Sequence, residues 1–431
     1  MNHPNPFSFI AIDQLRVGIF VHLDLGWLRH PFPVSSFRIT SADQIEALRS
    51  LGLERVRYEP GKSDALFAED TSEQAGQEAF ANSAVALKAK TSAAATVFSP
   101  LAQGALAPAQ GLATERRHLI SCDQRFLSTA DQYHRLAQVA HNDAASARMA
   151  SCALVSECVD DLQCNGESVI RLITEGIGEC SGMHPVNVMV LCLLLGQAQG
   201  FSLPQLQELG LAALLHDIGK GQLSVPLRGQ RRAYEDHVGA SVALAQSMDL
   251  PSSVLIAIAQ HHEAADGSGF PLGLLDKDLS PAGRILALVN RYDGLCNPAN
   301  YADALTPHEA LSVLFSRMKA HFDAVTLNAF IRMMGVYPPG SVVQLVNGLY
   351  ALVISVNSAR PLRPKVIVHD PDVPQEQAPV LDLQSLPELG ILRSLKPSQL
   401  PRAALDYLSP RQRIYYFFER AVALPRREAS L

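Results

Sequence analysis

The sequence predicts a mainly α protein, in which an all-helical domain follows a small α+β module and carries a short β appendage. Between residues 118 and 335 apolar residues recur at helical spacing. Residues 8–60 and 342–368 instead contain short β-branched runs bounded by turn residues. At 431 residues the chain exceeds the usual size of a single core, so two or three domains are expected.

The composition restricts the class of protein and its compartment. Hydrophobic residues make up 48% of the chain and charged residues 18%, which is typical of a globular protein. The net charge of −6 argues against binding to a nucleic acid polymer. The seven cysteines form no C-x-x-C pair, and no apolar run is long enough to span a bilayer. We therefore expect a cytoplasmic protein with no membrane association.

Residues 1–62 predict the α+β module. Val17–Leu23 is an apolar, β-branched run, and the alternating residues 55–58 predict a returning strand. Between them, Ser41 can cap a helix that extends from residue 42 to residue 51. The module contains no catalytic cluster, so it is a candidate surface for contact with a protein partner.

The main domain is expected over residues 118–375, after an Ala-, Ser- and Gln-rich linker over residues 63–117. Proline-based signals predict helix starts at Pro251, at Ser280-Pro281 and at Thr306-Pro307. In the last of these, Glu309 completes a capping box.

Short strands and a tail are predicted to follow the helices. The strands are expected over residues 342–346, 351–356 and 365–368. Residues 376–431 are predicted to form a helical tail, with the helix over residues 403–423. The aromatic run 415–418 within it is expected to pack in the core or in a homodimer interface.

Two polar pairs stand at the ends of apolar helical runs. His216-Asp217 ends one run, and His261-His262 ends another, with His237 between them. Neutral imidazole and carboxylate are the ligands that borderline divalent metals prefer. The pattern predicts a polynuclear metal centre, which usually hydrolyses a phosphoester. His184 fits either a further ligand or an ordinary structural histidine.

These motifs together resemble the HD-GYP family, a branch of the HD phosphohydrolases. The resemblance covers residues 150–370 and includes HDIGK (216–220), HHE (261–263), DGSG-F-P (266–271) and RI-x6-YD (284–293). Residues 8–60 resemble the small domain often found before HD-GYP domains, most recognisably at Trp27–Phe32. The family implies an all-α, metal-dependent phosphodiesterase that hydrolyses the bacterial second messenger cyclic di-GMP to linear pGpG, GMP or both.

The resemblance also implies roles for individual residues. The positions that match the family's metal ligands are His184, His216, Asp217, His237, His261 and His262. Asp217 would bridge two divalent ions, with iron or manganese expected, and the bridged water would be the nucleophile. Lys220 would stabilise charge at the scissile phosphate. The implied substrate contacts are Gly267, Gly269, Phe270, Pro271 and Asp293.

Several positions depart from the family pattern. Asn290 stands where the family usually has Asp, and its uncharged amide makes it a weak metal ligand. Cys180 replaces the Glu of members with a third metal, so two ions are expected. Phe270 replaces the Tyr of Gly-Tyr-Pro. Neither Ala299 nor Asn300 supplies the Arg that binds the ligand's phosphate in the family.

Two alternatives to an active cyclic di-GMP phosphodiesterase stay open. The departures fit a degenerate domain that binds a ligand or a partner with weak or no catalysis. His216-Asp217 alone also fits a general HD phosphohydrolase acting on nucleotides, although the DGSG-F-P loop argues against it.

Overall fold

The computed structural model describes residues 8–23, 36–49, 51, 53–64, 109–163, 168–173, 182–222, 231–357, 360–386 and 388–420. The described residues up to 64 belong to one compact unit, and those from 109 onward belong to another. Trp27–Phe32, Cys180 and most of the predicted linker lie outside the described residues.

The N-terminal unit is an antiparallel sheet with one helix, which confirms the predicted α+β module. Its strands, β1 (Ser8–Ala11), β2 (Phe20–His22), β3 (Ser36–Arg38) and β4 (Arg55–Tyr58), pair in the order β1-β4-β2-β3. Helix α1 spans Ala42–Arg49, and the hydroxyl of Ser41 accepts a hydrogen bond from the backbone N–H of Gln44 at 3.4 Å. Apolar side chains from both layers form its small core: Ile19, Val21, Ile39, Leu48 and Val56.

Helices make up most of the second unit, as predicted. They are α2 (Ala109–Val139), α3 (Ala144–Gln163), α4 (Met183–Ala198), α5 (Leu203–Leu215), α6 (Arg231–Ser247), α7 (Ser252–Ala259), α8 (Pro281–Cys296), α9 (Pro307–Ser316) and α10 (Ala324–Met334). Helix α4 is buried along almost its whole length, which is why its sequence is apolar on every face. Among the described helices, none combines the length and the apolar character needed to cross a bilayer.

The predicted helix starts agree with the structure in two of three cases. Ser280 caps α8 by accepting a hydrogen bond from the N–H of Gly283 at 3.0 Å. Thr306 and Glu309 form the predicted capping box of α9. Pro251 lies at the N-cap of α7, one residue before the first helical position. Helix α2 begins at Ala109, inside the segment predicted to be a linker.

An antiparallel sheet completes the second unit. Its strands are β5 (Ser168–Leu172), β6 (Val342–Leu345), β7 (Tyr350–Asn357), β8 (Lys365–Val368), β9 (Val380–Asp382), β10 (Ile391–Leu395) and β11 (Tyr416–Arg420). The main path runs β10-β6-β7-β5-β11, and β8 joins β7 to β9. The three predicted strands correspond to β6, β7 and β8.

Two predictions about this unit are wrong. The main domain is not entirely helical before residue 335, because it contains β5. The described part of the tail is α-helical only in α11 (Arg402–Leu408), and residues 416–420 form β11, which pairs with β5. Phe417 and Phe418 of that strand are buried in the core. Pairing with a strand so far back in the chain overrides the local preference on which a helix prediction rests.

Candidate metal centre

Helix ends bring the predicted metal ligands together. The six side chains that approach one another are His184, His216, Asp217, His237, His261 and His262. His184 lies in the first turn of α4, His216-Asp217 follow α5, and His261-His262 follow α7. The turn after Asp217 packs so closely on α6 that a Cβ at Gly219 would lie 2.4 Å from the backbone nitrogen of Ser241. This packing places His237 of α6 beside the other ligands.

Asp217 lies between two sets of imidazoles. Its Oδ2 is 3.3 Å from Nε2 of His184 and 3.4 Å from Nε2 of His216. Its Oδ1 is 3.3 Å from Nε2 of His237 and 3.7 Å from Nε2 of His261. We call the first set site A (His184, His216, Asp217) and the second site B (Asp217, His237, His261, His262). A carboxylate shared by two such sets suits a two-metal centre.

Backbone hydrogen bonds determine the tautomers of two ligands. Nδ1 of His216 lies 2.7 Å from the carbonyl oxygen of Ala213, and Nδ1 of His261 lies 2.6 Å from that of Ile258. Because a carbonyl can only accept, both Nδ1 atoms carry the proton, and both Nε2 atoms present a lone pair to the site. Histidines bind metals in this form.

The protonation states also suit a metal. Burial lowers the pKa of His216, and burial together with the neighbouring His262 lowers the pKa of His261 well below the usual range. Burial and the nearby His237 lower the pKa of His262 to about 3. Neutral imidazoles are the form that binds a cation.

Asp217 provides the anionic partner. Burial alone would raise its pKa, but the surrounding His216 and Lys220 lower it well below the usual range. Its Oδ1 is buried and has no hydrogen-bond partner. A buried charged oxygen without a donor is costly, and a cation bound between the two sites would remove that cost. The residues present therefore fit two divalent ions.

Asp293 supports His184 from behind. Its Oδ2 lies 2.5 Å from Nδ1 of His184, and its Oδ1 accepts hydrogen bonds from Asn187 at 2.6 Å and from Asn297 at 2.9 Å. Burial alone would lower the pKa of His184, but the Asp293 carboxylate outweighs it and raises that pKa to about 9. The sequence predicted a substrate contact for Asp293. Asp293 lines the cavity, and both of its oxygens also contact protein groups, so we assign it the orientation of His184 as well.

Metal loading of site A is expected to depend on pH up to about 9. A proton on Nε2 of His184, whose pKa is raised to about 9, competes with the metal. Below that pH the affinity of site A should fall about tenfold for each pH unit. His261 and His262 of site B have lowered pKa values and bind no competing proton in this range. Calorimetric manganese titrations between pH 7 and pH 9 measure this difference, and a pH-independent affinity at both sites would contradict it.

The loop after His262 forms one wall of the centre. The ring of Phe270 stacks on His262, with centroids 4.5 Å apart and an interplanar angle of 21°. A Cβ at Gly269 would lie 2.3 Å from the backbone nitrogen of Ala264, so only glycine permits this approach. Gly267 has a φ of +78°, which glycine adopts without strain. Pro271 is exposed and lies outside the cavity lining.

Glu263 anchors this loop, a role that the sequence analysis missed. Its buried carboxylate accepts hydrogen bonds from the backbone N–H of Leu272 at 2.7 Å and of Leu274 at 2.9 Å. The available signal was a Glu directly after two predicted ligands at a helix end. Because Glu263 binds the backbone at Leu272 and at Leu274, shortly after Phe270, it keeps Phe270 against His262.

The substitution Glu263→Gln is expected to loosen this loop. The Gln amide has only one acceptor oxygen, so its NH2 group would face one of the two backbone N–H groups. An unsatisfied buried donor costs about 1–3 kcal/mol. Hydrogen exchange at Leu272 and Leu274 should therefore become faster. Asp278→Asn, which changes an exposed carboxylate on the same connection, is the matched control. Exchange that stays at the wild-type rate in both variants would show that Glu263 does not hold the loop.

A cavity of about 780 Å³ adjoins both sites. This volume is within the range of small-molecule pockets, roughly 300–1,000 Å³. Side chains of different chemistry line it, among them Lys220, Phe270, Asn290, Arg291, Met318 and Phe322. Lys220 also forms an ion pair with Asp217. The predicted residues Lys220, Phe270 and Asn290 therefore share one cavity with three of the candidate ligands, His184, His261 and His262.

Comparisons with known proteins match both parts of the chain. The HD domain family model matches residues 167–325, and a domain of unknown function, DUF3391, matches residues 8–161. The second match extends beyond the predicted module into α3.

Curated relatives and a solved structure give further matches. A protein named cyclic di-GMP phosphodiesterase from Pseudomonas aeruginosa is 28% identical over 380 residues, which cover 83% of this chain and 84% of that protein. A probable cyclic di-GMP phosphodiesterase from Vibrio cholerae is 30% identical over 136 residues, which cover 28% of this chain and 31% of that protein. The structure of an HDG"Y"P protein from Bdellovibrio bacteriovorus aligns with a TM-score of 0.37 and 15% identity, over 75% of this chain and 98% of that one.

Proposed function

We propose that the chain belongs to the HD-GYP branch of the HD domain family and is a metal-dependent phosphodiesterase that hydrolyses cyclic di-GMP. The proposed product is linear pGpG, GMP or both. One observation carries the proposal: Asp217 is buried between two groups of imidazoles, with an Oδ1 atom that has no hydrogen-bond donor. The names of the two relatives, both given as cyclic di-GMP phosphodiesterases, support the choice of substrate.

Sites A and B would hold the two ions. Iron and manganese both accept a set of imidazoles with a bridging carboxylate, and availability selects between them. When bound, such ions would polarise the scissile phosphate and lower the pKa of the attacking water.

Residues of the cavity would bind and orient the substrate. Lys220 lies beside Asp217 and lines the cavity, so its ammonium can stabilise charge that develops on a phosphate oxygen. The Phe270 ring, stacked on His262, offers a flat surface next to site B on which a nucleobase can stack. Met318 and Phe322 add apolar surface to the same cavity.

One observation favours a second candidate function, a domain that binds the ligand without hydrolysing it. Asn290 lines the cavity one helical turn before Asp293, at the position where the family usually has Asp. An amide brings no negative charge to the metals, so it holds them less tightly than a carboxylate. This alternative predicts that restoring the charge restores turnover.

Turnover of cyclic di-GMP tests the proposal. The purified chain is loaded anaerobically with ferrous iron, and separately with manganese, and the products are separated by chromatography. Formation of pGpG or GMP by the wild type, absent in His261→Ala, supports the phosphodiesterase. If Asn290→Asp forms product and the metal-loaded wild type forms none, the wild type is the second candidate, a domain that binds the ligand without hydrolysing it. Equal turnover in wild type and His261→Ala would exclude the proposed centre.

A further inference from the structure

One face of α8 lines the cavity beside the metal ligands. Within α8 the lining residues are Ala287, Asn290, Arg291, Asp293 and Gly294. Arg291 is exposed and lines the same cavity as His184 of site A. A guanidinium in this wall can therefore contact a ligand that occupies the cavity.

Three other charged groups of the cavity wall also contact protein groups. Lys220 pairs with Asp217, Glu263 binds two backbone N–H groups, and Asp293 binds His184. Arg291 makes no ion pair with any described residue. Its charge is thus available to an anionic ligand.

A second arginine lies near the end of α8 but is engaged in a structural role. Nη1 of Arg413 donates hydrogen bonds to the carbonyl oxygens of Asn297 and Pro298, both at 2.9 Å. Its guanidinium also lies over the ring of Tyr301, 4.1 Å from the centroid. Arg413 therefore braces the turn that contains Ala299 and is not among the cavity-lining residues.

We infer that Arg291 binds the phosphate of a cyclic dinucleotide that is not being cleaved. A cyclic dinucleotide carries two phosphodiesters, and sites A and B would engage only one of them. A guanidinium binds phosphate through two parallel charge-assisted hydrogen bonds, which fix position as well as adding affinity. Arg291 would therefore select substrates with two phosphates. This inference rests on the proposed function.

The test compares two substrates in wild type and Arg291→Gln. For cyclic di-GMP we expect KM to rise on the order of 10- to 100-fold, with a small change in kcat, because a charge-assisted contact is lost. For bis(p-nitrophenyl) phosphate, which has a single phosphodiester, KM and kcat should stay at wild-type values. The KM of Arg291→Lys for cyclic di-GMP should lie between those of the wild type and Arg291→Gln. Arg332→Gln, an exposed arginine outside the cavity, is the control.

Direct binding of cyclic di-GMP to the manganese-loaded proteins separates the remaining outcomes. Turnover by the wild type with no effect of Arg291→Gln overturns the inference and leaves the proposed function standing. Equal losses on both substrates would mean that Arg291 acts on the structure of the centre, which also overturns it. Binding that needs Arg291, without turnover, rejects the phosphodiesterase and retains the inference. A wild type that neither binds nor hydrolyses rejects both.

Discussion

The substitution Asp217→Asn is expected to abolish loading of both metal sites and to lower turnover of cyclic di-GMP by on the order of 1,000-fold or more. Both oxygens of Asp217 face imidazole nitrogens, Oδ2 toward site A and Oδ1 toward site B. An amide keeps the shape of the side chain but removes its charge. It also turns an NH2 donor toward one of the two sites. A single substitution should therefore disable both.

Metal content per chain, measured by elemental analysis after loading and gel filtration, checks the first part of this prediction. Turnover under the same conditions checks the second. Asp236→Asn is the matched control, since Asp236 is exposed and lies directly before His237 on α6. It should retain both metals and the wild-type rate. If Asp217→Asn binds two ions per chain, the bridging role is wrong.

Asp293→Asn is expected to weaken site A selectively. The carboxylate fixes the ring of His184 through the 2.5 Å contact at Nδ1, and loss of such a partner typically costs about 10- to 100-fold in metal affinity. An amide at this position would also face the NH2 groups of Asn187 and Asn297, which both donate to the present carboxylate. Site B shares no contact with Asp293 and should keep its affinity.

Titration with manganese at several pH values measures this effect. In the wild type the pKa of His184 is raised to about 9, chiefly because the Asp293 charge outweighs burial. Without that charge the pKa of His184 should fall. The metal affinity of site A should then begin to decrease only at a lower pH than in the wild type. Asp236→Asn again provides the control. A variant that weakens both sites equally would indicate a general loss of structure.

The two pairs of candidate metal ligands were readable from local sequence. His216-Asp217 and His261-His262 each stand directly after an apolar helical run, where core packing does not explain two adjacent polar residues. Helix starts at Ser280 and Thr306 were also readable, because capping depends on side chains within three residues of one another. Such patterns involve only residues close together in the chain, so the sequence alone is enough to recognise them.

The tertiary structure alone decided how these residues work together. Asp293 contacts His184, which is 109 positions earlier in the chain, and so can orient this candidate ligand from behind. Strand β11 pairs with β5 in place of the predicted tail helix, because a partner far back in the chain offers a complete set of backbone hydrogen bonds. Periodicity shows which face of an element is buried. It contains no information about which distant element covers that face, and that pairing determines which side chains meet.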